Sequence, residues 1–336
     1  MSDRTTPDLR LRIAAALLAL AAASAAGAAE RPVLQLPLAC EIGRDCFIQT
    51  YVDVDPSSPG ARDYMCGTRA QDGHNGIDFR LPDMAAQRAG VDVLAAADGR
   101  VLRQRDGMAD APVSGSDKSS VEGMECGNGL VIDHGGGWET QYCHLAKGSL
   151  RLKPGETVKA GQPVGRVGLS GLSQYPHVHF TVRHAGRVVD PFAVDAPPGA
   201  CGGGTSLWAP ALQASLAYRP RAVVNHGFAS GPVTMQMVEE RAAPAPDPAA
   251  EALVAYIRAI GLQAGDIQHL VVKDPEGRVI AENKAKPTAR SQAQTLLYTG
   301  RKRPPEGWLP GRYAASYRVL RDGAVVLEQD FSVELR

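Results

Sequence analysis

Net charge is missing from this sequence: Lys plus Arg number 36 and Asp plus Glu 36 in 336 residues. No overall field draws such a chain to nucleic acid or to an anionic membrane, so neither is an expected partner. Aromatics are scarce at 5%, while Gly reaches 36 and Pro 24. That balance disfavours long helices and points to short strands joined by turns. No C-x-x-C pair occurs, which argues against a thiolate metal site. No G-x-x-x-x-G-K phosphate loop occurs either, and Gly202 to Gly204 reads as a linker. Ser170 lacks the G-x-S-x-G spacing of a serine nucleophile. Beyond the first thirty residues no apolar run approaches the roughly 20 residues that cross a bilayer.

The first residues have the order of a secretory leader. Arg4, Arg10 and Arg12 precede an apolar run from Ile13 to Ala23, and small residues from Ser24 to Ala29 follow. Residues 1–28 are therefore read as a signal peptide, with an uncleaved N-terminal anchor as the alternative, and the rest as exported. Export gives the six cysteines, Cys40, Cys46, Cys66, Cys126, Cys143 and Cys201, an oxidising setting in which disulfides persist. Cys40 with Cys46 is the local pairing; Cys66 with Cys126 and Cys143 with Cys201 are the looser expectations.

The remaining length suits two domains. From Val91 to Asp190 the sequence alternates short β-type runs with turns. Strand, turn, strand is expected across Ala97 and Asp98, and again from Gly129 to His144 through the glycines at 135–137. Gly or Pro every few residues from Lys153 to Gly168 excludes a continuous helix. His177 to Arg183 reads as a strand that turns at 184–186 and returns. The polar segment from Asp106 to Gly123 reads as a long surface loop and groove wall. A Pro/Gly stretch at 197–204 closes this unit. In the second unit Val233 to Val238 is strand-like, Arg241 to Pro248 a Pro-rich loop, and Leu253 to Leu262 favours a strand over a helix. Two hairpins follow, with turns at 274–277 and 321–323. This spacing suggests an immunoglobulin-like β-sandwich.

Chemistry concentrates in the first unit. His177 and His179 stand two apart on a strand, so both imidazoles project from one face. His74 and Asp78 stand four apart with Asn75 and Gly76 between them, a turn leading into a strand. Two histidines and one carboxylate with an open position make a catalytic zinc set, whereas a structural site is closed by four protein ligands. His134, His184, His226 and His269 have no partner spacing and are read as structural. Trp138 and Tyr142 fit either a groove lining or core packing.

The motifs His74 to Asp78, Tyr142 to Leu145, Gly155 to Gly165, Pro176 to Phe180 and Val189 to Pro191 occur in an order that resembles the lysostaphin-type (LytM-like) zinc endopeptidases over roughly residues 66–193. The resemblance implies one Zn2+ held by His74, Asp78 and His179. It also implies His177 as the catalytic histidine and His144 as its partner, with peptidoglycan stem or cross-bridge peptides as substrate. Zinc-bound water would then attack the carbonyl, with His177 as general base and His144 assisting the oxyanion; the two histidines can also exchange roles. The chain departs from the pattern at Cys143, where a small residue is usual, and at Gln174 to Pro176, where Thr-Gly-Pro is common. A family tyrosine upstream of the first ligand has no clear counterpart.

The resulting expectation is a mainly β protein: signal peptide at 1–28, zinc-peptidase domain of antiparallel hairpins at 30–203, linker at 204–220, and β-sandwich accessory domain at 221–336. It is placed in the periplasm or cell envelope of a bacterium, with an envelope regulator as an allowed partner. The rival is a non-enzymatic envelope protein of the same fold that binds or activates another wall hydrolase; the intact ligand set favours the enzyme. A zinc peptidase acting on proteins is a second rival.

Overall fold

The computed structural model describes residues 1, 31–57, 60–113, 115–197 and 199–336. The leader read over 1–28 falls, beyond Met1, outside the described residues. Residues Pro32–Arg336 form one compact unit. It is mainly β, and the pairings of its named strands are antiparallel.

The N-terminal region is built on β1 (Phe47–Thr50), β2 (Ile77–Arg80), β3 (Asp92–Leu94), β4 (Gly99–Arg105), β5 (Asn128–Gly135), β6 (Trp138–Leu145), β7 (Thr157–Val158), β8 (Pro163–Arg166), β9 (His177–His184) and β10 (Arg187–Val189). The main sheet runs β1-β2-β9-β6-β5-β4-β7, with β10 on the flank of β9, while β3 and β8 form a separate pair. Alternation along β9 explains how the sheet carries a site. Val178, Phe180 and Val182 are buried in the core with Phe79, Tyr142 and Trp208. Their neighbours His177, His179, Thr181 and Arg183 consequently face the other way, into a groove. Burying each large apolar side chain contributes about 1.5–3 kcal/mol, so the register that sets the groove face is fixed from the core side.

The expected hairpin across Ala97 does not form. β3 pairs with β8, while β4 pairs with β5 and β7. The connecting backbone is taken by other partners: Leu94 N–H donates to the Pro37 carbonyl, Ala95 N–H to Gln162, and Ala96 N–H to the Tyr142 hydroxyl. Ala95 and Ala96 are fully buried there, so the stretch is a core crossing and not a surface turn. The hairpins β5–β6 and β9–β10 form as expected. The loop after Asp106 contains a 3-10 turn, Gly115–Val121.

Two disulfide expectations are corrected. Cys40–Cys46 is present, but the others are Cys66–Cys201 and Cys126–Cys143. Cys126 leads into β5 and Cys143 lies on the adjacent β6, so hairpin pairing decides the partner. Cys66–Cys201 instead ties a loop ahead of β2 to the Pro/Gly stretch after β10.

The C-terminal region contains β11 (Ala222–Ala229), β12 (Ala252–Leu262), β13 (Ile267–Lys273), β14 (Val279–Lys284), β15 (Gln292–Lys302), β16 (Gly311–Arg321) and β17 (Ala324–Leu335). These make sheets β11-β12-β15 and β14-β13-β16-β17. Side chains of both sheets, Ile257 and Leu297 from one and Leu270, Val272, Tyr317 and Val319 from the other, share one apolar cluster. The strand-like segment from Val233 is in fact a short helix. It is α2 (Met235–Glu240), opened by Thr234, whose side chain accepts from Met237 N–H; the cap satisfies a donor that a strand would have to pair elsewhere. An earlier short helix, α1 (Met84–Ala89), is capped the same way by Asp83.

The two regions pack together. Leu207, Trp208 and Leu216, which follow the Pro/Gly stretch, are buried in the N-terminal core. Phe47 of β1 joins Val224 and Ile260 in a small apolar cluster, and Gln49 donates to the Ala293 carbonyl at 3.0 Å. Arg88–Glu240 and Arg241–Asp83, both at 2.9 Å, link the two helices.

Candidate active site

β2 and β9 are neighbours in register Asp78↔His179, which sets a carboxylate across from an imidazole on the groove face. His74 comes from the turn just before β2. Its Nε2 lies 3.1 Å from Asp78 Oδ1, and His179 Nδ1 lies 2.9 Å from the same oxygen. The three ligand atoms fall within 4.8 Å of one another. One further group among the described residues has metal-ligand proximity, Cys40, Asp45 and Cys46, but its two sulfurs form a disulfide.

The outer partners fix which ring nitrogen faces Asp78. His74 Nδ1 is 2.8 Å from the Tyr51 carbonyl; a carbonyl only accepts, so Nδ1 carries the proton and Nε2 presents its lone pair. His179 Nε2 is 2.9 Å from Asn75 Oδ1 and 3.1 Å from Thr181 Oγ1. With Asn75 accepting, its Nδ1 is likewise the lone-pair nitrogen. With both rings neutral, two imidazole lone pairs and a carboxylate converge on one point, and a cation fits that donor set. The carboxylate that would attract a cation attracts a proton to the same place. Burial disfavours a charged His74, but the Asp78 carboxylate and hydrogen bonds to it and to Tyr51 outweigh this and raise its pKa. Burial pushes Asp78 toward its neutral form, yet His74, His177 and hydrogen bonds from His179 and His74 hold it well below the usual carboxylate range.

Two further imidazoles stand over this centre. His177 Nδ1 donates to the Tyr175 carbonyl at 2.9 Å, with Ser173 Oγ at 3.2 Å, leaving Nε2 3.6 Å from Asp78 Oδ1. His144 Nδ1 donates to the Ser170 carbonyl at 2.8 Å, and its ring centroid is 4.6 Å from that of His177. Burial lowers the pKa of His177, partly opposed by Asp78. Burial, reinforced by His177 and His179, takes His144 well below the usual imidazole range. Both are neutral near pH 7, with a free lone pair on Nε2.

His144 reaches the groove by an exception to the strand rule. Cys143 lines the groove, so alternation would turn residue 144 toward the core. His144 instead has φ 64°, a left-handed conformation uncommon for a residue with a side chain. It is held by His144 N–H to the Cys126 carbonyl and by Gly168 N–H to the His144 carbonyl. Cys143 and His144 consequently both line the groove.

The groove has a volume of about 400 Å³ and is lined further by Gln71, Lys118, Glu125, Gln141, Tyr175 and Arg183. The Cys126–Cys143 disulfide forms part of its wall. All five residues singled out from the sequence line it together: His74, Asp78, His144, His177 and His179. Trp138 and Tyr142 do not; both are core residues. His134 bridges the Asp98 carbonyl and Thr140, and Ser170 is fully buried, its hydroxyl donating to the Leu145 carbonyl. Sequence reasoning missed the orienting partners. Thr181 and Arg183 were reachable by continuing the two-residue step from His177 and His179, whereas the carbonyls of Tyr51, Ser170 and Tyr175 carry no side-chain signal.

Comparison with known proteins finds matches over the stretch that carries these residues. The model for peptidase family M23 matches residues 72–191. The peptidoglycan DD-endopeptidase ShyB of Vibrio cholerae is 33% identical over 37% of this chain and 24% of its own length. The DD-carboxypeptidase/endopeptidase Mpg of Neisseria meningitidis serogroup B is 32% identical over 37% of this chain and 23% of its own. A solved zinc-containing peptidase from Vibrio cholerae aligns at 28% identity, covering 46% of this chain and 41% of that one, with a TM-score of 0.29. The chain thus spans about a quarter of the length of these curated relatives. The stretch that matches the model of peptidase family M23, residues 72–191, contains His74, Asp78, His144, His177 and His179.

Proposed function

We propose that this chain is an exported zinc endopeptidase that hydrolyses peptide bonds in the stem or cross-bridge peptides of peptidoglycan. The observation that carries the reading is the convergence of His74 Nε2, Asp78 Oδ1 and His179 Nδ1, with the other nitrogen of each ring already committed to a neighbour. Those three residues would hold the ion and leave a coordination position open, as catalytic zinc sites do. Zinc bound there supplies a Lewis acid that polarises a peptide carbonyl and acidifies water.

The two remaining histidines handle protons. His177 is the general base: its Nδ1–H is anchored on Tyr175, so Nε2 takes the proton from water and later gives it to the leaving amine. His144 assists the carbonyl oxygen as negative charge develops only once its Nε2 has taken up a proton. Because its Nδ1–H is already given to Ser170, His144 donates from Nε2 only when protonated, while in its neutral form it is a second base beside His177.

The relative named as a peptidoglycan DD-endopeptidase supports the substrate class. The leader-like N-terminus and the three disulfides support export to the periplasm or cell envelope. We read residues 30–203 as the peptidase domain, 204–220 as its connection onward, and 221–336 as an immunoglobulin-like β-sandwich accessory domain, a reading supported by two sheets around one core.

The test is incubation of the purified chain with cross-linked peptidoglycan sacculi, with released fragments identified by mass spectrometry. Cleavage that a chelator stops, that zinc restores and that His177→Ala lacks is the expected result. Absence of cleavage by zinc-loaded protein would overturn the reading in favour of a non-enzymatic envelope partner of another hydrolase.

A further inference from the structure

The groove-facing row of β9 does not end at the histidines. Thr181 and Arg183 continue it, above the buried row Val178, Phe180 and Val182. Arg183 lies four residues past His179. At about 3.3 Å per residue this is about 13 Å from the metal-ligand cluster, the reach of three to four extended residues.

Its guanidinium is held in place without being neutralised. Nη1 donates to Gln141 Oε1 at 2.7 Å. Gln141, opposite Thr181 on β6, turns its amide toward the Cys143 and Cys126 sulfurs at 3.2 and 3.3 Å. The disulfide therefore backs Gln141, and Gln141 aims Arg183. Glu139 is the cross-strand neighbour of Arg183, but its carboxylate pairs with Arg103 at 3.8 Å. Among the described residues no carboxylate forms an ion pair with Arg183. Partial burial lowers its pKa, Glu139 counters this and Arg103 adds to it. Holding Gln141 needs only one of the five guanidinium N–H donors. Besides Asp78 in the metal-ligand cluster, the other charged side chains on the groove wall are Lys118 and Glu125; none is paired with Arg183.

We propose that Arg183 is a subsite for a free carboxylate of the bound peptide, three to four residues from the bond that is cut, and that it selects acidic wall peptides over amidated ones. The proposal deepens the peptidase reading and rests on it. A planar guanidinium pre-aimed by Gln141 suits two-pronged recognition of a carboxylate; an amide presents one acceptor and no charge.

The experiment compares native sacculi with sacculi whose carboxylates have been converted to carboxamides by carbodiimide and ammonia, for the zinc-loaded wild type, Arg183→Gln and Arg183→Lys. Fragment release is followed by mass spectrometry. Retention of chelator-treated protein on each kind of sacculus is measured by pelleting, which reads the subsite without turnover. The wild type is expected to prefer native sacculi by about tenfold in both readouts. Arg183→Gln loses the preference and Arg183→Lys keeps part of it, with melting transitions like that of the wild type. Equal treatment of the two substrates by the wild type, or an undiminished preference in Arg183→Gln, overturns the subsite. No release by zinc-loaded protein while retention still depends on Arg183 and on carboxylates would overturn the peptidase reading and leave the subsite standing.

Discussion

The guanidinium of Arg80 lies over the ring of Tyr175, its central carbon 4.5 Å from the ring centroid. Tyr175 is the residue whose carbonyl receives the Nδ1–H of His177. Arg80 in turn is held from the C-terminal region: its Nη2 is 3.2 Å from Glu239 Oε2 on α2, and Arg258 of β12 reaches the same oxygen. A carboxylate after β11 is thereby connected, through one cation and one aromatic ring, to the orientation of the His177 imidazole. Burial, with Arg258 close by, pulls the pKa of Arg80 down to about 10, and Glu239 opposes that fall.

Replacing that carboxylate isolates the connection. The side chains of Arg80 and Arg258 are fully buried, so Glu239→Gln leaves two guanidinium groups without a counter-charge. Breaking a buried ionic group this way costs about 3–5 kcal/mol. The urea midpoint is expected to fall accordingly, and near-ultraviolet circular dichroism should report loosened packing around Tyr175. An unchanged midpoint would show that solvent already screens the pair.

The ligand geometry has a steric condition at Gly76. A methyl group added there would sit 2.6 Å from His179 Nε2 and 2.7 Å from the Phe180 carbonyl oxygen, closer than such contacts occur. The ring can yield to the first contact, but the second meets sheet backbone, so the turn that carries residue 76 must shift as well. Gly76→Ala is expected to keep its far-ultraviolet spectrum and to bind zinc about 10–100-fold more weakly, the range for disturbing a ligand's outer contacts. Zinc titration monitored by calorimetry reads this directly, and wild-type affinity would contradict it.

Asp190 makes stability depend on pH. Burial raises its pKa to about 7 and Asp63 adds to this, against a hydrogen bond from Phe192 N–H; its Oδ2 is shut from solvent with no partner. The unfolded chain releases this proton near pH 3.9 and the folded chain only near 7. The folded state is therefore favoured at low pH, and this contribution is lost as pH rises from about 4 to 7. Wild-type stability should fall over that interval by up to about 4 kcal/mol more than that of Asp190→Asn, at about 1.4 kcal/mol per pH decade. Urea melts of both proteins at pH 4.5 and 8 give the comparison; parallel profiles would exclude the effect.

Cys66–Cys201 spans 135 residues, so the chain-entropy argument assigns it about 5 kcal/mol. Cys66→Ser with Cys201→Ser should lower the melting temperature far more than Cys40→Ser with Cys46→Ser, whose loop spans 6 residues. Equal losses would mean that native-state contacts, and not loop closure, set the contribution.

Parts of this site are legible in the chain because strand geometry is regular. Two residues apart means one face, so His177 and His179 announce a pair and, carried further, Thr181 and Arg183. His74 and Asp78 are legible through the turn at Asn75 and Gly76. His144 is not legible on the same rule, since it faces the groove through a left-handed φ that breaks alternation. Ala97 misleads for a related reason: turn-like residues sit in the core because distant carbonyls and the Tyr142 hydroxyl take the neighbouring N–H groups. The cysteine partners follow sheet neighbours, which separation along the chain does not encode. Val233 to Val238 has strand-type residues, but one hydroxyl at Thr234 opens a helix.

The packing at β1 bears on where the protein can be divided. β1 is the last strand of its sheet. Phe47 on it rests on Val224 and Ile260, Gln49 is tied to Ala293, and Arg80 beside it is neutralised by Glu239. A fragment ending at residue 204 would bare this sheet margin, strip Trp208 and Leu216 from the core, and leave the Arg80 charge facing water. Margins of that kind recruit strands from other molecules. The family match ends at residue 191, but the smallest body expected to carry it in isolation is larger, and its limit is drawn by what shields β1.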